Sequence, residues 1–400
     1  MKVLLAGLSL IVLSAFGELD ETTPNNAEIA KQLAVDTIIV DTHIDVPYRL
    51  AEGWEDVSQA TAKGNFDYPR AVAGGLNAPF MSVYTPAKYD GTPKAKEHAD
   101  EMINLVERIV ASAPEKFIIA RTPEDVEAAF KAGKIALPLG MENGSPISGD
   151  LANLDYFFER GIRYITLAHS KSNGISDSSY DKERQWHGLS GFGKKVVRRM
   201  NELGIMVDIS HVSDEAFWAV MEISATPVIA SHSSARHFTP GFERNMNDDM
   251  IKELALKGGV IMINYGSAFL TETANKYRPA RDEAYIKYLA ETAQEDAPEL
   301  KEKFEADYLA THPYPYATTS DVLDHIDHVV KIAGIDHVGI GSDYDGVGDS
   351  LPVGLKDVAS YPVLIEGLLG RGYSQADVKK ILSGNLMRVW RAIDAYAATH

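Results

Sequence analysis

Eight short apolar runs recur along the chain, and stretches with helical periodicity lie between them. The runs are Thr37–Val40, Phe80–Tyr84, Ile135–Met141, Arg163–Leu167, Ile205–Ile209, Pro227–Ala230, Val260–Asn264 and Val338–Gly341. A strand with one wet face alternates polar and apolar residues. Nearly all of these are apolar throughout, which marks parallel strands covered on both faces. Helical periodicity is predicted over 94–112, 122–132, 191–203, 214–223, 247–256 and 320–332, and the C-terminus adds 358–369 and 374–395. Eightfold strand–helix alternation predicts an α/β fold of the (β/α)8, or TIM, barrel type, with a doubly wound open sheet as its competitor. Residues 271–317 separate the last two strands by far more than an ordinary loop. They are read as an insertion over the top of the barrel, with a helical stretch expected over 282–309.

The first 17 residues read as a secretory signal peptide. Lys2 precedes an apolar run that ends in small residues near Ser14 to Gly17, and the run is shorter than the roughly 20 residues a spanning helix needs. The expectation is an exported chain, secreted or periplasmic, with no stable membrane anchor after cleavage and a single domain over 18–400. There is no cysteine. That excludes disulfides, thiol nucleophiles, Fe–S clusters and cysteine-attached lipids. The formal charge of −18 argues against nucleic acid as a partner, because such binding needs a basic patch.

Active-site groups of a barrel of this kind sit at the C-terminal ends of its strands. Here those ends are rich in ionisable residues. Strand one runs into Asp41-Thr42-His43-Ile44-Asp45, where residues two apart share a face, so His43 and Asp45 both reach the barrel mouth. Strand three ends in Gly140-Met141-Glu142-Asn143, strand four in Leu167-Ala168-His169, strand five in Asp208-Ile209-Ser210-His211, strand six in Ser231-His232-Ser233 and strand eight in Gly341-Ser342-Asp343-Tyr344-Asp345-Gly346. One such residue is ordinarily a cap or a hydrogen-bonding group; six strand ends together describe a site. The donors are nitrogen and oxygen, which suits zinc and also cobalt or manganese. Three histidines and two carboxylates exceed the three protein ligands of one catalytic zinc. Two metals sharing a bridging carboxylate fit better, and Glu142 is the natural bridge.

With these motifs in this order, the chain resembles the membrane (renal) dipeptidase family, metallopeptidases of the amidohydrolase-like barrels. Further carriers of the resemblance are Asn173, Ser234-Ala235, Arg244-Asn245, Gly339-Ile340 and Gly384-Asn385-Leu386-Met387-Arg388-Val389, and it covers residues 40–390. It implies a metal-dependent hydrolase barrel with two zinc ions per chain. His43 and Asp45 would hold the first, His211 and His232 the second, and Glu142 would bridge. The implied reaction is hydrolysis of dipeptides, L,L and L,D among them, by a hydroxide bridging the metals. Asp343 would move the proton and His169 would stabilise the oxyanion on the scissile carbonyl. Arg244 would grip the substrate carboxylate, supported by Asn245. A homodimer is implied by the resemblance alone. Animal members carry cysteines and a C-terminal lipid anchor, and this chain has neither a cysteine nor an apolar tail.

Other residues take plainer readings. Asp345 structures its loop, Arg236 is a weaker anchor than Arg244, and His98, His187, His325, His328 and His337 are surface or packing residues. An amidohydrolase of N-acyl amino acids, lactams or lactones is the competing enzyme; a substrate without a carboxylate would not need Arg244. A non-catalytic exported binding protein would show degraded ligands, and all five are intact.

Overall fold

The computed structural model describes residues 25–147 and 149–400, so the signal segment expected at 1–17 lies outside the described residues. Eight parallel strands form one sheet in chain order. They are β1 (Ile39–Ile44), β2 (Leu76–Tyr84), β3 (Leu139–Glu142), β4 (Ile162–Thr166), β5 (Met206–Asp208), β6 (Ile229–Ser233), β7 (Val260–Ile263) and β8 (Val338–Ile340). Just beyond β8 the sheet closes on β1. Asp343 N–H donates to the His43 carbonyl at 3.1 Å, and Asp45 N–H donates to the Tyr344 carbonyl at 2.9 Å. Every residue of β1 and of β3 to β8 is buried, as strands covered on both faces require.

Two cores flank the sheet. One lies between strands and helices. The other fills the barrel from Val40, Phe80, Tyr164, Met206, Ile229 and Val260, with Trp390 packed against it. Trp390 belongs to the C-terminal helix Asn385–Ala397, and its ring lies 5.3 Å from that of Phe80. This helix caps the end where the strands begin. Asn385 at its start donates to the Ile335 and Val338 carbonyls, at 2.7 and 2.8 Å. The opposite end, where the strands finish, is left for chemistry. Among the described residues no helix is long and apolar enough to cross a membrane.

Three expectations are corrected. The run Ile135–Met141 is two strands, because Pro138 has no N–H to continue one ladder. Ile135–Leu137 pairs with the unforeseen Phe117–Ile119 in a separate ribbon, and only Leu139–Glu142 joins the barrel. The helix expected over 282–309 is two helices, Glu272–Thr292 and Pro298–Thr311. Ala293 ends the first in the left-handed region (φ 51°), and Pro298 starts the second. The stretch 374–395 is broken by a π-helical turn over Lys380–Gly384.

Candidate active site

The strand ends converge on Glu142. Its carboxylate lies 3.1 Å from His211 Nε2, 3.3 Å from His232 Nε2, 3.4 Å from His169 Nε2 and 3.5 Å from His43 Nε2. His43 Nε2 is also 3.5 Å from Asp45 Oδ2. The His43 and His232 rings stack at 3.7 Å, and the Nε2 atoms of His211 and His232 are 2.8 Å apart. Three groups bring donor atoms within 4.8 Å of one another: His43, Glu142 and His232; Glu142, His169 and His211; His43, Asp45 and Asp343. Glu142 belongs to two of them. His43 and Asp45 do meet, but not as partners on one extended strand, since β1 stops at Ile44 and Asp45 turns out of it (φ −89°, ψ 30°).

The backbone bends sharply to make this cluster. Asn143, His211, Asp343 and Asp345 all have positive φ, between 66° and 75° except Asp343 at 64°. Such conformations are uncommon outside glycine and gather at functional sites. Two buried aspartates hold the strand ends. Asp41 accepts from the His43 and Ser342 N–H groups and from Tyr361. Asp208 accepts from the Ser210 and Ser231 N–H groups and from the Ser231 and Thr166 hydroxyls. Ser231 Oγ in turn meets His232 Nδ1 at 2.8 Å, and Tyr164 Oη meets His43 Nδ1 at 2.7 Å. With Nδ1 engaged, each of these rings turns Nε2 toward Glu142, the arrangement typical of metal-ligating histidine. Gly140 makes room for Tyr164: a Cβ there would fall 1.9 Å from its ring.

The electrostatics fit a cation. Burial alone would raise the Glu142 pKa, but His169 and His43 nearby, with hydrogen bonds from His211 and His232, hold it well below the usual carboxylate range. Burial keeps His211 and His232 well below the ordinary imidazole value, so both imidazoles are neutral near neutral pH. Burial would depress His43 as well, but Tyr164, Asp45 and Glu142 draw it well above that value, so this corner attracts positive charge. Burial, with Asp45 and Glu142 alongside, pushes Asp343 up to about 7 despite His43. Asn264 Nδ2 donates to Asp343 Oδ2 at 2.8 Å.

The donor set also passes a geometric test. Atoms bound about 2.0–2.1 Å from a tetrahedral zinc lie about 3.3 Å apart. The separations around Glu142 run from 3.1 to 3.5 Å, and the His211 and His232 Nε2 atoms are closer, at 2.8 Å. His43 Nε2 is buried and has no hydrogen-bond partner among the described residues. The residues present therefore fit a metal centre.

A pocket of about 660 Å³ opens on this cluster, and Tyr48, Tyr84, Tyr180, Phe269 and Arg278 form part of its wall. None of these five was singled out in the sequence, where an aromatic residue beside an apolar run reads as packing. Arg244 is buried. Its guanidinium donates to Ser233 Oγ and the His232 carbonyl, both at 2.7 Å, and its Nε has no partner. No carboxylate of the described residues pairs with Arg244. Asn245 is buried and donates to Thr239 Oγ1 (2.7 Å) and the Phe269 carbonyl (2.8 Å), so it braces the wall that carries Phe269.

The plainer readings match their surroundings. Asp345 is held by Arg49 Nε at 3.0 Å and by Asn65 N–H at 2.5 Å. Arg236 is spent on both oxygens of Asp214. His325 is a packing residue, fully buried between the Ala235 N–H and the Leu270 carbonyl.

The family model described as membrane dipeptidase (peptidase family M19) matches residues 27–400. The chain belongs to the membrane dipeptidase family. Dipeptidase 3 of Mus musculus is 31% identical over 380 residues, spanning 93% of this chain and 67% of that protein. The probable dipeptidase PvdM from Pseudomonas aeruginosa has a TM-score of 0.80 at 28% identity, covering 93% of this chain and 99% of that one. A metallo peptidase from Rhodobacter sphaeroides, liganded with a phosphinate mimic of the dipeptide L-Ala-D-Ala, has a TM-score of 0.73 at 24% identity. It covers 90% of this chain and all of its own, and the likeness is one of fold. Membership of the membrane dipeptidase family makes the chain a metallo-dipeptidase, a metal-dependent hydrolase.

Proposed function

We propose that this metallo-dipeptidase is an exported enzyme that uses two zinc ions to cleave dipeptides of L,L and L,D configuration. The observation that carries the reading is the convergence of four imidazole nitrogens on the one carboxylate of Glu142, at the open end of the barrel. His43 and Asp45 would hold one metal and His211 and His232 the other, with Glu142 common to both sets. Bound zinc supplies Lewis acidity toward the scissile carbonyl and lowers the pKa of water at the site.

The chain's own groups do the rest. Asp343, buried beside His43 and Asp45, accepts the proton of the attacking water and returns it to the departing amine. Asn264 fixes the carboxylate for both transfers. Burial keeps His169 largely neutral, so its imidazole N–H donates to the oxygen on which charge develops. Arg244 is a buried guanidinium that pairs with no carboxylate among the described residues. Leaving such a charge unpaired is costly, and the α-carboxylate of a dipeptide resolves it. An α-carboxylate anchor held against the strand that carries His232 restricts the substrate to two residues.

The test is a substrate panel of L,L and L,D dipeptides, the tripeptides that extend them, and N-acyl amino acids. Dipeptides alone should be cleaved at appreciable rates. Cleavage of N-acyl amino acids with every dipeptide untouched would overturn the reading. Export is checked by N-terminal sequencing of protein recovered outside the cytoplasm, which should begin after Ser14 to Gly17.

A further inference from the structure

We propose that Arg278, on the helix Glu272–Thr292 of the insertion, selects dipeptides whose second residue carries an anionic side chain. The inference rests on the dipeptidase reading and on Arg244 as the α-carboxylate anchor. Arg278 lines the same pocket as Glu142, His169 and Asp343 although it lies far from the strand ends in sequence. Asn275, one turn earlier, donates to the Ala268 carbonyl at 3.0 Å, and residues three apart share a helix face. That face is thereby turned toward the segment Ser267–Leu270, which carries Phe269.

The guanidinium of Arg278 is uncommitted. Its side chain is 82% exposed, and among the described residues its one ion pair is to Asp282 at 3.8 Å. Asp282 is already engaged by Arg281 at 3.0 Å. The other arginine lining the pocket, Arg49, is spent on Asp345 and Glu55 at 3.0 and 2.7 Å. Arg278 is thus the pocket-lining arginine with charge to offer. Apart from Arg49, which is already paired, the other charged side chains lining the pocket are the carboxylates Asp45, Glu52, Glu142, Asp343 and Asp345, so an uncommitted cation on this wall stands out.

Position assigns the substrate residue. The Arg244 guanidinium lies 5.2 Å from the Phe269 ring centroid. Phe269 therefore adjoins the proposed α-carboxylate anchor and belongs to the segment that the insertion helix touches through Asn275. The side chain nearest that wall belongs to the residue whose carboxylate Arg244 holds, the second of the dipeptide. The insertion is braced internally, where Tyr277 Oη donates to the His312 carbonyl at 2.8 Å, and tied to the loop after β8, where Tyr316 Oη donates to Asp349 at 2.7 Å. Arg278 is presented on a braced element.

The test compares Ala-Asp with its neutral isostere Ala-Asn, in the L,L and L,D series, on wild-type holoenzyme, Arg278→Gln and Arg278→Glu. Wild type should favour Ala-Asp in kcat/KM by about fivefold, the upper end for an exposed ion pair. Arg278→Gln should bring the ratio to about one, with the loss in KM for Ala-Asp, and Arg278→Glu should invert it. A ratio that all three proteins share overturns the inference and leaves the dipeptidase reading standing. A preference for Asp-Ala in place of Ala-Asp overturns the assignment to the second residue. If wild type cleaves neither dipeptide, both readings fall.

Discussion

Replacing Gly346 with alanine should disable the site through a single methyl group. A Cβ at Gly346 would stand 2.2 Å from Asp45 Oδ2 and 2.3 Å from Asp343 Oδ1. Each carboxylate must retreat by about 1 Å to reach an ordinary contact distance. The loop cannot yield instead. Gly346 N–H donates to the Asp343 carbonyl at 3.1 Å, and the neighbouring Asp345 is clamped by Arg49 and Asn65. The backbone of Gly346 is not left-handed, so the cost is one of space. A misplacement of about 1 Å at a reacting centre costs about a hundredfold in rate. We expect kcat/KM to fall about a hundredfold and metal to bind more weakly, because one displaced group is a proposed ligand and the other the proton carrier. The assay is dipeptide hydrolysis with metal content by mass spectrometry, and circular dichroism to show that the barrel is retained. Activity within threefold of wild type, with full metal, would refute the packing argument.

Asp343→Asn should lower kcat by about a hundredfold or more while metal content stays near that of wild type; loss of metal in that variant would make Asp343 a ligand and not a proton carrier. His169→Ala should cost about a hundredfold in kcat with little change in KM, and a change confined to KM would remove its oxyanion role. His325 makes a pH test away from the metals. Burial pushes its pKa down to about 4 from 6.5, so the folded chain keeps it neutral while the unfolded chain protonates. Its contribution to stability is present above pH 6.5 and lost as pH falls toward 4. About 2 kcal/mol should be lost between about pH 7 and about pH 5. Urea denaturation of His325→Gln should show a pH slope flatter by that amount, and equal slopes would contradict it.

The barrel was legible because parallel strands buried on both faces leave unbroken apolar runs, and all eight barrel strands overlap such runs. The ligand candidates were legible because each lies within five residues of the end of one of those runs. What escaped was support that depends on proximity across the barrel. Tyr164 lies mid-strand and reads as core, yet its hydroxyl orients His43. Ser231 reads as a neighbour of His232, yet it links that ring to Asp208. Gly140, inside a strand, was the available signal, since a glycine there marks a close approach. Arg278 sits in a charged helix whose pattern says nothing of what it faces, and only the fold brings it to the pocket.

The central claim is a two-metal centre organised by Glu142. It is tested most directly by titrating zinc into chelator-treated protein while following dipeptide hydrolysis and bound metal together. Two equivalents should bind per chain, full turnover should require the second, and Glu142→Gln should weaken both. Full activity at one equivalent, or two tight equivalents in Glu142→Gln, would contradict the account.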